Sequence, residues 1–156
     1  MLLALVVWIG GIIFFALVVA PAVFSGILPT RHLAGLIVTR VLGNLHWIGI
    51  LCAAVFLLAS LAWNALAMGA ARPWAAKHVL IVLMFALTLI SQFAIGARMQ
   101  HLRTAMGEID SVAATDSRRI QFNRLHVWST RIEGTVLLFG LLTIFLVARE
   151  APRLSR

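Results

Sequence analysis

Three stretches of this chain contain no Asp, Glu, Lys or Arg: Met1 to Thr30, Val41 to Ala71 and His78 to Ala97. A fourth, Ile132 to Ala148, contains only Glu133. A helix crosses the bilayer core with ~20 predominantly apolar residues, so the pattern predicts four spans. Composition excludes the competing classes. Apolar residues make up 62% of the 156 and charged residues 12%, more apolar surface than a soluble domain of this size can hide. The same excess excludes disorder, and a lone cysteine, Cys52, excludes an internal disulfide scaffold. One four-span membrane domain over residues 1–156 is the expectation.

The spans read as about 2–24, 45–68, 77–97 with a helical extension to 107, and 117–148. They show continuous apolarity rather than the alternation of barrel strands, and helices are the other structure that satisfies its backbone in lipid. Ala20-Pro21-Ala22 has the form of a signal-peptidase site. The apolar run before it is too long for a signal peptide and has no basic start, so the first span is read as retained. Gly26 and Pro29 break the chain, and Thr30 is placed to cap a new helix. Arg31 to Leu42 has too many polar positions to cross lipid and reads as an interfacial segment before the second helix. Ala70 to Trp74, with Pro73, forms a short connection. Gly107 suits a C-cap, Asp116 or Ser117 can cap the last helix, and a basic tail with Pro152 closes the chain. The expected fold is all-α, a four-helix antiparallel transmembrane bundle.

A net charge of +8 raises nucleic acid as a partner, but the basic residues sit at the ends of the spans, where they meet lipid phosphates and set orientation. The partner read from them is the lipid bilayer, with no nucleic acid. The two odd loops and their flanks hold Arg31, Arg40, Arg98, Arg103, Arg118, Arg119, Arg124 and Arg131; the other side holds Arg72, Lys77, Arg149, Arg153 and Arg156. This bias predicts odd loops in the cytoplasm and both termini outside.

The polar residues fall into two readings. His46, His126 and His101 all lie near the membrane face that carries the odd loops, as does His32. They are either ordinary headgroup-level histidines or ligands, since imidazole is a common ligand for transition metals and haem iron. Asn44-Leu45-His46-Trp47 opens the second span and Asn123-Arg124-Leu125-His126-Val127-Trp128 the fourth, a faint repeat that places His46 and His126 face to face. His126 and Glu133 are seven apart, nearly the same helix face, with Ser129 between them. Glu133 lies inside its apolar stretch, and an ionisable residue there faces a partner or a cavity. Gln92 lies at comparable depth, and Arg98 reaches inward from the interface. A Glu133–Arg98 packing pair, or a role for Glu133 in binding or proton movement, are the two expectations. No phosphate loop, Cys-x-x-Cys, His-Glu-x-x-His or Gly-x-Ser-x-Gly motif occurs, so no catalysis is assigned.

In order along the chain, several short motifs resemble the bacterial members of the transmembrane protein 205-like family. They are Trp8-Ile9-Gly10-Gly11 with Phe14-Phe15 and Ala20-Pro21-Ala22, then Arg31 with Ala34-Gly35, and Leu45-His46. Arg98-Met99-x-x-Leu102-Arg103 and Phe122-x-x-Leu125-His126-x-x-Ser129 follow. Members are four-helix membrane proteins largely of unknown function. That family is distantly similar to copper-resistance protein D and to HemJ-type protoporphyrinogen oxidases, whose pattern Trp74 and Lys77 loosely match. The resemblance implies copper or haem b at the membrane-face histidines. It implies family-level roles for Arg31, His46, Arg98, Arg103, His126 and Ser129.

The function expected is a small membrane protein, in the bacterial inner membrane, binding a metal ion or haem near one membrane face. The alternatives are a small transporter or efflux helper whose polar stripe lines a passage, and a structural partner subunit, with a homo-oligomer or a membrane partner protein in view.

Overall fold

The computed structural model describes residues 1–68 and 75–150, with side chains described except at 67, 68 and 150. The expected connection with Pro73 and Trp74, and the tail with Pro152, lie outside the described residues. Among the described residues are four helices long and apolar enough to cross a membrane: α1 (Leu2–Val23), α2 (Arg31–Met68), α3 (Ala76–Met106) and α4 (Ser117–Glu150).

Contacts between particular residues fix their directions. Trp8 lies against Gly49 and Leu45 against Gly11, so α1 and α2 are antiparallel. His46 meets Gln92 while Ser60 meets His78, so α2 and α3 are antiparallel. Ser91 meets Glu133 and Met84 meets Gly140, so α3 and α4 are antiparallel as well. Each helix packs on its sequence neighbours and α1 closes the ring on α4. This is an up-and-down bundle of four membrane helices, as the sequence predicts.

The core is thin and the outside apolar. Leu5, Trp8, Ile9, Phe56, Ile81, Met84 and Val136 are buried, and Leu3, Leu17, Leu58, Leu66 and Leu138 stand out from the bundle. Lipid tails are as apolar as leucine, so close backbone approach replaces hydrophobic burial as the packing device. A Cβ at Gly49 would come within 2.7 Å of the Trp8 ring carbon Cε2, and one at Gly140 within 2.7 Å of Ile9 Cγ1.

Two helices leave α geometry where local chemistry requires it. Pro21 has no N–H for the carbonyl four residues earlier, and its ring crowds that carbonyl. A π turn at Phe15–Val19 sits just before it, so α1 continues to Val23. A second π turn, Ile90–Gly96, interrupts α3. Gly96 is the residue that lets it close: a Cβ there would lie 3.1 Å from the Ser91 carbonyl oxygen.

The segment from Arg31 to Leu42 is helical and continuous with the second span, with Thr30 Oγ1 accepting the Leu33 N–H at 3.2 Å as its cap. At 1.5 Å per residue α2 is roughly 57 Å long and α4 roughly 51 Å, well beyond a ~30 Å hydrocarbon core. The excess lies at the odd-loop face, where the start of α2, the end of α3 and the start of α4 extend together. Arg103, 5% exposed, ties this extension. Its Nη1 donates to the Gly35 carbonyl at 3.1 Å and to Thr39 Oγ1 at 2.7 Å, and its guanidinium lies 5.4 Å from the Phe122 ring centre. Helix α3 ends at Gly107 with φ 67°, the positive angle glycine tolerates at such a stop. Asp116 caps α4, accepting the Arg118 N–H at 2.8 Å.

Candidate functional site

Three helices contribute to one polar cluster inside the bundle. From α2, His46 is 5% exposed and buried between its neighbours. Its Nδ1 lies 2.8 Å from Gln92 Oε1 on α3, and its Nε2 lies 2.6 Å from Glu133 Oε1 on α4. Ser91 Oγ donates to the same Glu133 oxygen at 3.3 Å. The π turn explains how α3 supplies two adjacent side chains: its wider turn reduces the angle between successive residues, so Ser91 and Gln92 both reach the cluster. Such turns are frequent at functional positions. Gly43 on α2 lies beside the Gln92 amide, 3.9 Å from where a Cβ would stand, an ordinary contact.

Glu133 is the group that demands this arrangement. A carboxylate inside an apolar span is costly unless it has a partner, and here the partner is an imidazole with its second nitrogen also anchored. Both nitrogens of His46 face oxygen atoms. A neutral imidazole has a single N–H. The cluster is therefore satisfied in three ways: an imidazolium donating to both oxygens, a neutral ring with Nδ1–H on Gln92 and Nε2 accepting from a protonated Glu133, or a neutral ring donating to Glu133 with the Gln92 amide turned to donate its NH2. The first and last of these differ by one proton and a flip of the Gln92 amide, with the helices unmoved.

Of the sequence candidates, the structure brings together His46, Gln92 and Glu133, and adds Ser91. Arg98, His101, His126 and Arg31 are exposed, Ser129 is half-buried, and Arg103 is buried in the separate tie to α2. Glu133 takes His46 as its ionic partner rather than Arg98. His46 and His126 share no hydrogen-bond partner among the described residues. The reason is axial distance: His46 is held at the level of Glu133, and His126 is seven residues earlier on α4, about 10 Å along the axis. Among the described residues no three His, Cys, Asp or Glu side chains converge as a metal set. With His46 engaged on both nitrogens and His126 exposed, the residues do not fit a haem clasped between these two histidines.

A second buried polar group lies toward the other end of the bundle. Ser60 Oγ is 2.7 Å from His78 Nε2, and Ser60, His78, Lys77 and Asn64 are all buried. Between the two groups along α3 lie Ile81 and Met84, fully buried with Phe56. Ser60, Asn64 and Ser91 are residues that the sequence reading does not single out. Serine is common in membrane helices and carries no signal of its own, although Ser91 beside Gln92 at the depth of Glu133 was a usable hint.

Comparison with curated proteins and with solved structures gives no match. One family model, described as a domain of unknown function (DUF4149), matches residues 3–108. The match takes in α1, α2 and α3, with His46, Ser91 and Gln92, and stops before Glu133. It covers about two thirds of the chain, which belongs to the DUF4149 family.

Proposed function

We propose that this small integral membrane protein holds an exchangeable proton on the His46–Glu133 pair and, as a small transporter or efflux helper, passes protons across the membrane. The observation that carries this is the 2.6 Å contact between His46 Nε2 and Glu133 Oε1. It is a buried acid–base pair inside an apolar bundle, with Gln92 able to serve either protonation state. Intramembrane carboxylates and histidines of this kind mark proton relays. No catalysis is assigned. The protein is proposed to sit in the bacterial inner membrane with its odd loops in the cytoplasm and both termini outside, alone, as a homo-oligomer or with a membrane partner.

Proteoliposomes with a trapped pH-sensitive dye test the reading. The wild type is expected to dissipate an imposed pH gradient faster than empty vesicles, and Glu133→Gln to lose that increment while remaining folded. Equal rates for wild type and Glu133→Gln would overturn it.

A second reading, binding of copper or haem b, draws on the transmembrane protein 205-like resemblance and its distant similarity to copper-resistance protein D and HemJ-type proteins. The imidazole and carboxylate of His46 and Glu133 offer a nitrogen and an oxygen donor at one point, and an ion there would displace their hydrogen bond. Copper by elemental analysis, or a Soret band, in the purified protein supports this reading. A preparation that neither contains nor takes up either group removes it.

A further inference from the structure

Where α3 and the start of α4 extend past the spans, they enclose an open cleft of about 640 Å³. Its lining divides by chemistry. Its basic lining residues are Arg98 from α3 and Arg118 and Arg124 from α4, and its apolar ones are Ile120, Leu125 and Trp128. Among the described residues no acidic side chain lines it. Arg118 is paired with Asp116, with Nη2 2.7 Å from Oδ2. Arg98 and Arg124 have no carboxylate partner among the described residues. The cleft therefore keeps an uncompensated positive charge of about two, at a site distinct from the His46–Glu133 cluster.

Depth along α4 gives the cleft a polarity. Trp128 is four residues before the apolar stretch that begins at Ile132, about 6 Å along the axis, the level at which tryptophans mark the membrane interface. Arg131 stacks on it, 5.6 Å from guanidinium carbon to ring centre. Arg124 is one turn further out, and Arg118 almost two turns beyond that. Arg98 and Arg124 beside Leu125 and Trp128 at this level match an amphiphile with an anionic head. Arginine forks are also well shaped for phosphate oxygens.

We propose that this cleft is a binding site for the headgroup of an anionic phospholipid, phosphatidylglycerol or cardiolipin. The phosphate sits between Arg98 and Arg124, and the first acyl carbons lie on Leu125 and Trp128. Basic pockets between membrane helices bind anionic headgroups in this way. Asp116 tunes the site by holding Arg118 partly out of it.

Native mass spectrometry of the purified full chain in detergent, titrated with phosphatidylglycerol or phosphatidylcholine, tests the proposal. The expected result is one tightly retained phosphatidylglycerol. Its affinity should fall about fivefold in Arg98→Gln and again in Arg124→Gln, from roughly 1 kcal/mol per basic residue near an anionic surface. Asp116→Asn keeps a helix-capping side chain but frees Arg118, and is expected to tighten binding. This variant of opposite sign separates lipid recognition from damage to the fold. Equal retention of phosphatidylcholine, or unchanged affinity in all three variants, would overturn the proposal. Displacement of the lipid by millimolar inorganic phosphate would also overturn it, and make the cleft a site for soluble anions.

Discussion

Gly49 and Gly140 show how much of this fold rests on single atoms that are missing. Gly49 admits the Trp8 ring, and Gly140 admits Ile9, with Met84 Cε 3.2 Å from where a Cβ would stand. Gly49→Ala and Gly140→Ala are each expected to lower stability by about 1–3 kcal/mol, the usual cost of overpacking a tight core. Gly10→Ala and Gly134→Ala should be close to neutral, because nothing lies within 4 Å of their added Cβ. Thermal unfolding in detergent compares the four. The polar cluster has its own asymmetry. His46→Ala leaves Glu133 without its ionic partner inside the bundle, expected to cost about 1–3 kcal/mol, the scale for leaving a buried polar group unpaired. Glu133→Gln retains a hydrogen-bonding group beside His46 and should cost about 1 kcal/mol, the scale of one interhelical bond in lipid. The same unfolding measurement checks this order.

Helix ends and their ties govern the elements. The extension at the odd-loop face is held by Arg103, so Arg103→Ala should remove two charge-assisted bonds, about 1.5–3 kcal/mol each at most. Faster hydrogen exchange is expected at residues 31–40 and 98–106, with the rest of the bundle unchanged. At the start of α4, hydrogen bonds from the Arg118 side chain and backbone hold the Asp116 carboxyl at about 2, below its ordinary value of 3.8. The sign follows from linkage: a carboxyl with a lowered folded value stabilises the folded form above its unfolded value. That contribution fades as pH falls from about 4 toward 2. Exchange protection in the first turn of α4 should therefore decline over that window, and in Asp116→Ala it should be low throughout. The elements themselves were largely legible. Thr30, Gly107 and Asp116 cap where the sequence predicts, because caps are local chemistry. The continuity of Arg31–Leu42 with the second span was not legible. Polar residues exclude lipid, but they do not exclude a helix that runs on beyond it.

For the whole molecule, charge placement and topology make a joint prediction. Ser25 and Ser111 lie in the connections after α1 and after α3, which a four-span bundle puts on one side of the membrane. In a Cys52→Ala background, Ser25→Cys and Ser111→Cys should react with a membrane-impermeant maleimide only from the cytoplasm, in line with the arginine bias. Labelling from opposite sides would contradict the four-span topology, and labelling of both from outside would reverse the orientation.

The sequence by itself determined the number of spans, their helical state and most of their ends, because apolar length and capping are properties of consecutive residues. It also singled out Glu133, since a lone carboxylate in an apolar run is visible without any structure. Only the tertiary structure decided which groups meet it. Seven-residue spacing and shared depth made His126 and Arg98 plausible neighbours. The chosen partner depends on how α2, α3 and α4 rotate and cross, which is set by glycines admitting Trp8 and Ile9 and by a π turn that re-aims Ser91 and Gln92. Those are interactions between residues far apart in the chain, and no local pattern encodes them.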